Sequence, residues 1–246
     1  GMQGLFKNLR ADCFEDIVAA VALYRPGPLE TGMVTDFVAC KHGRKAITKM
    51  HPLIDDLLEP TYGVIVYQEQ VMQIAQALAG YSLGGADLLR RAMGKKKPEE
   101  MAKQKSGFVE GAKAKGVDPD KATEIFDLVE KFAGYGFNKS HSAAYALITY
   151  QTAYLKANYR MEYMAALMTS VLSSIDKISF FIKECQDSGI AVLPPDVNES
   201  YVGFSVSPKG IRWGLGAIRN VGISAVESIL QARKTGGAFN DLSDLC

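Results

Sequence analysis

The sequence is poor in the residues on which much enzyme chemistry depends. Its 4 cysteines are Cys13, Cys40, Cys185 and Cys246, and no two form a CxxC pair. That spacing argues against a zinc site or a dithiol redox motif, and the number is too small for a disulfide scaffold. Reduced thiols in a cytoplasmic protein are the expectation. Histidine occurs 3 times and tryptophan once. There is no Walker A loop, no GxSxG and no HExxH. No acidic cluster suits a two-metal centre. The nearest candidate, Asp118-Pro119-Asp120, reads as a turn with Asp120 capping the next helix. No basic and apolar leader opens the chain, so secretion is not expected. The central run without Asp, Glu, Lys or Arg, residues 140–155, is too short and too polar to span a bilayer. Internal repeats and low-complexity tracts are also absent.

What is present is ordinary in bulk. The 246 residues are 48 % hydrophobic and 22 % charged, which fits one large globular domain or two smaller ones. The formal net charge is +1, and that total suggests no nucleic-acid partner. The total conceals an uneven distribution. Residues 86–115 hold nine Lys and Arg against four acids, a surplus of five, which leaves the rest of the chain at −4.

Periodicity and punctuation predict a mainly α chain. Asp12 followed by Glu15 reads as a capping-box start for a helix that Arg25-Pro26-Gly27-Pro28 stops. Helices are expected over 30–40, 68–78, 86–93, 99–115, 120–132, 142–158, 161–172 and 175–188. Gly63-Val64-Ile65-Val66-Tyr67 reads as a strand or a buried connection. Near Gly189 the pattern changes to short apolar pieces separated by Pro, Asn and Gly, which predicts a small β element. Helical character returns from Leu215.

Three constellations carry chemistry. In the first, Arg90-Arg91 ends an apolar helix and Gly94 is expected to turn the chain into Lys95-Lys96-Lys97. Most charge runs are solvated faces. Here guanidinium groups beside a glycine turn also suit phosphate. The second is Gly134-Tyr135-Gly136-Phe137-Asn138-Lys139-Ser140-His141-Ser142. It places an amide, an amine, a hydroxyl and an imidazole at a helix entry, where free N–H groups favour anions. Its plain reading is a helix entry capped by Ser140 or Ser142 with the aromatics in the core, and Phe137 suits that reading. Tyr135 also offers a face for base stacking. The third, Gly214–Val226, reads as a helix-hairpin-helix. Gly216, Arg219, Asn220, Val221, Gly222 and Ser224 form its turn and flanks, where backbone N–H groups can hold a DNA phosphate without reading sequence. Its plain counterpart is an αα-hairpin with a glycine cap.

Four stretches in one order carry a family resemblance: Ala22-Leu23-Tyr24-Arg25-Pro26-Gly27-Pro28-Leu29, Gly63-Val64-Ile65-Val66-Tyr67-Gln68-Glu69-Gln70-Val71-Met72, Leu89-Arg90-Arg91-Ala92-Met93-Gly94-Lys95-Lys96, and Tyr135-Gly136-Phe137-Asn138-Lys139-Ser140-His141-Ser142-Ala143-Ala144-Tyr145. Together they resemble the alpha subunits of bacterial DNA polymerase III, the C-family replicative polymerases, over essentially the whole chain. The resemblance implies a helical fingers domain over 1–189. A small β element and a first helix-hairpin-helix, incomplete at its C-terminus, would follow over 190–246. The chain would then be a piece of a longer enzyme whose catalytic carboxylates lie in a palm upstream.

The resemblance also implies nucleotide contacts. Arg90 and Arg91, supported by Lys95 and Lys96, would hold the incoming triphosphate. Tyr135, Asn138, Lys139, Ser140 and His141 would wall the dNTP and the templating base. Arg25 and its Pro-Gly-Pro turn would shape that pocket, and the hairpin would track duplex DNA. The implied partners are the primer-template, dNTP, a sliding clamp and other replisome subunits, with no membrane. Mg²⁺ would belong to the parent enzyme, with no cofactor or metal held by this chain and no polymerisation by it alone. The competing functional reading is a stand-alone, non-enzymatic DNA-binding module. A ligand-free helical scaffold is a third.

Overall fold

A computed structural model describes residues 1–95, 98–133 and 136–245. Among them the chain is mainly α, with 14 α-helices and one small sheet. It divides into two compact units, Gly1–Thr149 and Tyr150–Cys246.

The first unit opens with α1 (Met2–Leu9), α2 (Phe14–Leu23), α3 (Pro26–Glu30) and α4 (Met33–Lys41). Cys13, not Asp12, is the N-cap residue of α2, and the Asp12 N–H donates to Asp16 Oδ2 at 3.1 Å. The expected Asp12–Glu15 box is therefore replaced by an acid one residue further on. Pro26 follows the end of α2 and also starts α3, because its missing N–H and fixed φ suit a first helical position. The helix expected over 30–40 is interrupted at Gly32, whose φ of 76° places it in the left-handed region.

Helices α5 (Pro52–Leu58), α6 (Gln68–Ala79), α7 (Leu83–Lys95), α8 (Pro98–Ala114) and α9 (Pro119–Ala133) follow. Their apolar faces enclose a core that includes Ile54, Leu58, Ile74, Leu89, Phe108 and Phe126. A second cluster joins Leu9, Val18, Leu23 and Phe37 to Val66, Tyr67 and Ala146. Ile65, Val66 and Tyr67 are buried, and Tyr67 makes an isolated parallel bridge with Phe137. The β-branched run is thus a buried connection with one bridge.

Three local expectations are corrected. Gly94 does not turn the chain; it lies inside α7, and its φ is not positive. Asp118, rather than Asp120, caps α9 by accepting the Lys121 N–H at 3.0 Å. The helix α10 (Lys139–Asn158) starts three residues before Ser142, and Asn138 caps it by accepting the His141 N–H at 2.8 Å. An amide at N-cap serves as well as a hydroxyl.

Helices α6 and α8 approach closely at Gly111. A Cβ there would stand 2.3 Å from the Ala79 carbonyl oxygen. In an open helix, glycine to alanine stabilises by up to about 1 kcal/mol. At this position the collision reverses the sign, and Gly111→Ala is expected to destabilise by about 1–3 kcal/mol. Gly94→Ala, where a Cβ meets nothing within 4 Å, is its control. Urea unfolding of both variants checks the contrast; a Gly111→Ala variant as stable as the parent refutes the crossing.

The second unit contains the end of α10, then α11 (Arg160–Thr169), α12 (Ile175–Asp187) and three strands, β1 (Val192–Leu193), β2 (Ser205–Ser207) and β3 (Gly210–Arg212). The sheet order is β1-β3-β2. β1 runs parallel to β3, and β2 pairs antiparallel with it through the tight Ser207–Gly210 connection. The composition change near Gly189 falls between α12 and β1. Met164, Met168, Ile178, Cys185, Phe204 and Ile211 form the core of this unit. After β3 come a 3-10 turn, Leu215–Ala217, then α13 (Ile223–Gly236) and α14 (Leu242–Leu245). No described helix is long and apolar enough to cross a membrane.

Candidate functional site

The first unit gathers the conspicuous residues around the start of α6. Gln68 and Glu69 are its first two residues and reach in two directions. The Gln68 side-chain oxygen accepts from Arg90 Nη1 on α7 at 3.1 Å. The Glu69 carboxylate accepts from Asn138 Nδ2 at 2.9 Å and from the Lys139 N–H at 3.0 Å, at the start of α10. Backbone bonds fix this approach. The Phe137 N–H donates to the Val66 carbonyl at 3.1 Å, and the Gln68 N–H donates to the Phe137 carbonyl at 3.0 Å. A Cβ on Gly136 would stand 3.2 Å from Gln68 Cγ, tighter than an ordinary contact, so glycine eases the close approach to the start of α6.

Arg90 is held but not saturated. Its Nε and Nη2 donate to Asp87 Oδ1 at 3.0 and 2.7 Å. With the Gln68 bond, these use three of its five N–H donors, so two remain for another acceptor. Its side chain is 27 % exposed. Arg91 pairs with the other Asp87 oxygen at 2.8 Å and is 64 % exposed. The Arg90 hydrogen bond, with the charges of both arginines, holds the Asp87 carboxyl below its ordinary pKa.

At the α10 entry, the Lys139 ammonium lies 5.4 Å from the Tyr67 ring centroid. Burial, reinforced by the negative charges of Glu69 and Glu15, pushes the Tyr67 phenol well above its ordinary pKa, so it stays protonated. His141 stands between Phe137 and Tyr145, with ring centroids 5.4 and 4.7 Å away. Phe137 also packs partly against the core, and the Arg25 guanidinium lies 4.5 Å over its ring. Ser140 is exposed on the first turn of α10. Arg90 is thus tied to Gln68, and Asn138 and the Lys139 N–H to Glu69, while His141 joins this group only through its N–H on Asn138 and Arg91 faces outward. Lys96 and Tyr135 lie outside the described residues, as does any account of the Lys95 side chain.

Much of the basic segment has internal employment. Lys105 pairs with Asp127 at 2.6 Å. Lys115 donates to the Gln76 and Ala77 carbonyls at 3.0 and 2.9 Å, where a cation meets the negative end of α6.

In the second unit, the hairpin turn runs from the 3-10 turn into α13. The Gly216 N–H donates to the Val202 carbonyl at 3.0 Å, and the Val221 N–H to the Ile218 carbonyl at 3.1 Å. Asn220 is left-handed, with φ of 67°. No side chain caps α13 at Gly222, so its first-turn N–H groups face outward beside exposed Gly222 and Ser224. Arg219 is exposed next to them. This end of α13 is a ready anion contact.

One group of metal-ligand type occurs among the described residues: Asp12, Cys13 and Asp16. The Lys41 ammonium sits 2.7 Å from both carboxylates and supplies the cation there. The site does not suit a divalent metal.

Comparison with known proteins decides the family. The finger-domain model of the bacterial DNA polymerase III alpha subunit matches residues 1–116, and a helix-hairpin-helix model matches residues 189–246. The whole chain is 58 % identical to DNA polymerase III subunit alpha of Vibrio cholerae and 57 % identical to that of Escherichia coli. It is 60 % identical to the Pasteurella multocida subunit. The chain belongs to the bacterial DNA polymerase III alpha-subunit family. It spans 22 % of the length of these relatives. The finger-domain match contains Gln68, Glu69, Asp87, Arg90 and Arg91. The α10 entry lies between the two matched segments but within the full-length similarity. The second match contains the sheet, expected from the change of pattern near Gly189, and the hairpin, read from Gly214–Val226.

Proposed function

We propose that this chain forms the fingers of a template-directed DNA polymerase, where it grips the incoming dNTP, and that its hairpin touches duplex DNA. One observation carries the reading. Arg90, with two donors to spare, and the start of α10, which bears Lys139 and His141, are tied to consecutive residues of α6, which supports a shared binding surface. Such a cradle suits a triphosphate.

In the reaction, the primer 3′-oxygen bonds to the α-phosphorus, the bond to the β-phosphate oxygen breaks, and pyrophosphate leaves. The residues of this chain contribute charge neutralisation and alignment, which dominate catalysis of phosphoryl transfer. Mg²⁺ supplies Lewis-acid chemistry in such reactions. The described acidic cluster is filled by Lys41, and on this reading the metal and primer extension belong to the full-length enzyme. At the hairpin, backbone N–H groups and Arg219 meet phosphates, which makes the contact independent of sequence and weaker in salt.

The test uses a full-length relative, the Escherichia coli subunit, carrying this 246-residue segment in place of its own. Arg90→Ala is expected to raise the dNTP KM and lower kcat/KM by about 10–100-fold, the loss of one charged hydrogen-bonding group. Primer-template affinity should change little. Unchanged dNTP kinetics with weakened DNA binding would instead favour the DNA-binding module.

A further inference from the structure

We propose that Glu69 is a positioning residue that sets the α10 entry against Arg90 and thereby fixes the width of the nucleotide cradle. The inference rests on the nucleotide reading given above.

The geometry is a relay. Both Glu69 oxygens lie 3.0 Å from the Lys139 N–H, and Oε1 also accepts from Asn138 Nδ2. An ionised carboxylate only accepts, so it dictates which end of the Asn138 amide faces it. The amide nitrogen turns to Glu69, and Oδ1 is left to cap α10 at the His141 N–H. Glu69 therefore sets the orientation of the cap, and the cap sets the first turn bearing Lys139, Ser140 and His141. The neighbouring Gln68 holds Arg90. Two adjacent residues on a rigid helix end thus couple the two walls of the cradle.

Charge alone does not account for this carboxylate. An anion beside a site for a polyanionic substrate opposes binding by simple Coulomb repulsion. Its sequence position offers a milder purpose, since an acid in the first turn complements the α6 dipole. That purpose needs no contact with residues seventy positions away. The pairing with the start of a second helix is what points to positioning.

The two explanations separate on the conservative variant. Oε1 already takes both the Asn138 and Lys139 contacts, so the carbonyl oxygen of glutamine can keep them while the charge is lost, once its amide nitrogen turns away from the Lys139 N–H that Oε2 faces at 3.0 Å. In the full-length chimera, Glu69→Ala is expected to raise the dNTP KM on the order of tenfold, with kcat and primer-template affinity within about threefold of the parent. Glu69→Gln should restore KM to near the parent value. Asn138→Ala should reproduce the Glu69→Ala shift, and the double variant should be no worse than either single one.

Thermal melts of the same proteins show whether folding is intact, and the Asn138 arm keeps the test available if Glu69→Ala folds poorly. If Arg90→Ala raises KM while Glu69→Ala and Asn138→Ala leave it unchanged, the positioning role is overturned and the nucleotide reading stands. If Glu69→Ala and Glu69→Gln both lower KM, the carboxylate acts only as a repelling charge, and positioning is again overturned. If Arg90→Ala also leaves KM unchanged, the nucleotide reading falls and the inference falls with it.

Discussion

Replacing Lys41 with methionine is expected to destabilise the first unit by about 3–5 kcal/mol at neutral pH, the cost of leaving a buried charge without its partner. The Lys41 side chain is 5 % exposed and that of Asp16 is 2 %, whereas Asp12 is 77 % exposed. The ammonium lies 2.7 Å from each carboxylate and 3.4 Å from the Tyr62 hydroxyl, so its three donors are all engaged. Methionine matches the length and apolar character of the stem, which isolates the loss of charge. Burial raises the Asp16 pKa, but the Lys41 hydrogen bond and the Asp12 N–H outweigh it and hold the carboxyl below its ordinary value. Burial likewise opposes the Lys41 charge, and its three partners override that and hold it above its ordinary value.

The signs of the pH dependence follow. A depressed carboxyl contributes stability that is present above its unfolded pKa, about 3.9, and is lost as pH falls through the folded value. A raised ammonium contributes stability that is present below its unfolded pKa, about 10.4, and is lost as pH rises through the folded value. The pair is therefore fully effective between roughly pH 5 and 9. In Lys41→Met, burial still pushes the Asp16 pKa up, and only the Asp12 N–H, Cys13 and Tyr62 hydrogen bonds remain to oppose it, so the carboxyl titrates higher than in the parent. The variant can then relieve the penalty by binding a proton, so its deficit should shrink between pH 8 and pH 5. Urea unfolding at those two values measures this. A loss below about 1 kcal/mol that is equal at both would rule out an effective buried pair.

The sequence read most clearly where helices are amphipathic and bracketed by strong punctuation. The expected 68–78, 99–115 and 120–132 appear as Gln68–Ala79, Pro98–Ala114 and Pro119–Ala133, because Pro, Asp and Gly mark their ends. Helices α1 and α5 were not legible. Both are short, and isolated helices of that length are marginal in water, so packing rather than local preference forms them. His51 illustrates this: it caps α5 through Nδ1, which accepts the Leu53 N–H at 3.2 Å. The candidate site divides in the same way. Arg90, Asn138, Lys139 and His141 stand out by residue type and by nearness to helix ends. Glu69 does not, because an acid at a helix start needs no special explanation and its partners lie seventy residues on. The basic segment has the same limit. Counting charges cannot reveal that Lys105 and Lys115 are spent on Asp127 and on the end of α6.

Truncating Phe108 to alanine should cost the first unit about 3–5 kcal/mol, the largest loss expected from a single core position here. Phe108 is fully buried on α8, with its ring centroid 5.4 Å from Phe126 on α9 and 6.4 Å from Tyr81 before α7. Removing the ring takes away its burial, its edge contacts and the packing of three elements at once. The same bundle holds α6 and α7, which carry Gln68, Glu69 and Arg90, so its integrity positions those residues. Phe108→Leu retains most of the apolar volume and should lose less than half as much. The molecule provides its own control. Its one tryptophan, Trp213, belongs to the second unit and packs against Phe204 at 5.3 Å. Far-UV circular dichroism reports helices of both units, whereas tryptophan fluorescence reports the second. In Phe108→Ala, the helical signal should lose part of its amplitude at lower urea, while the Trp213 transition keeps its parent midpoint. If both signals shift together by the full amount, the two units unfold as one. If neither shifts, the α6–α9 core does not depend on the Phe108 ring.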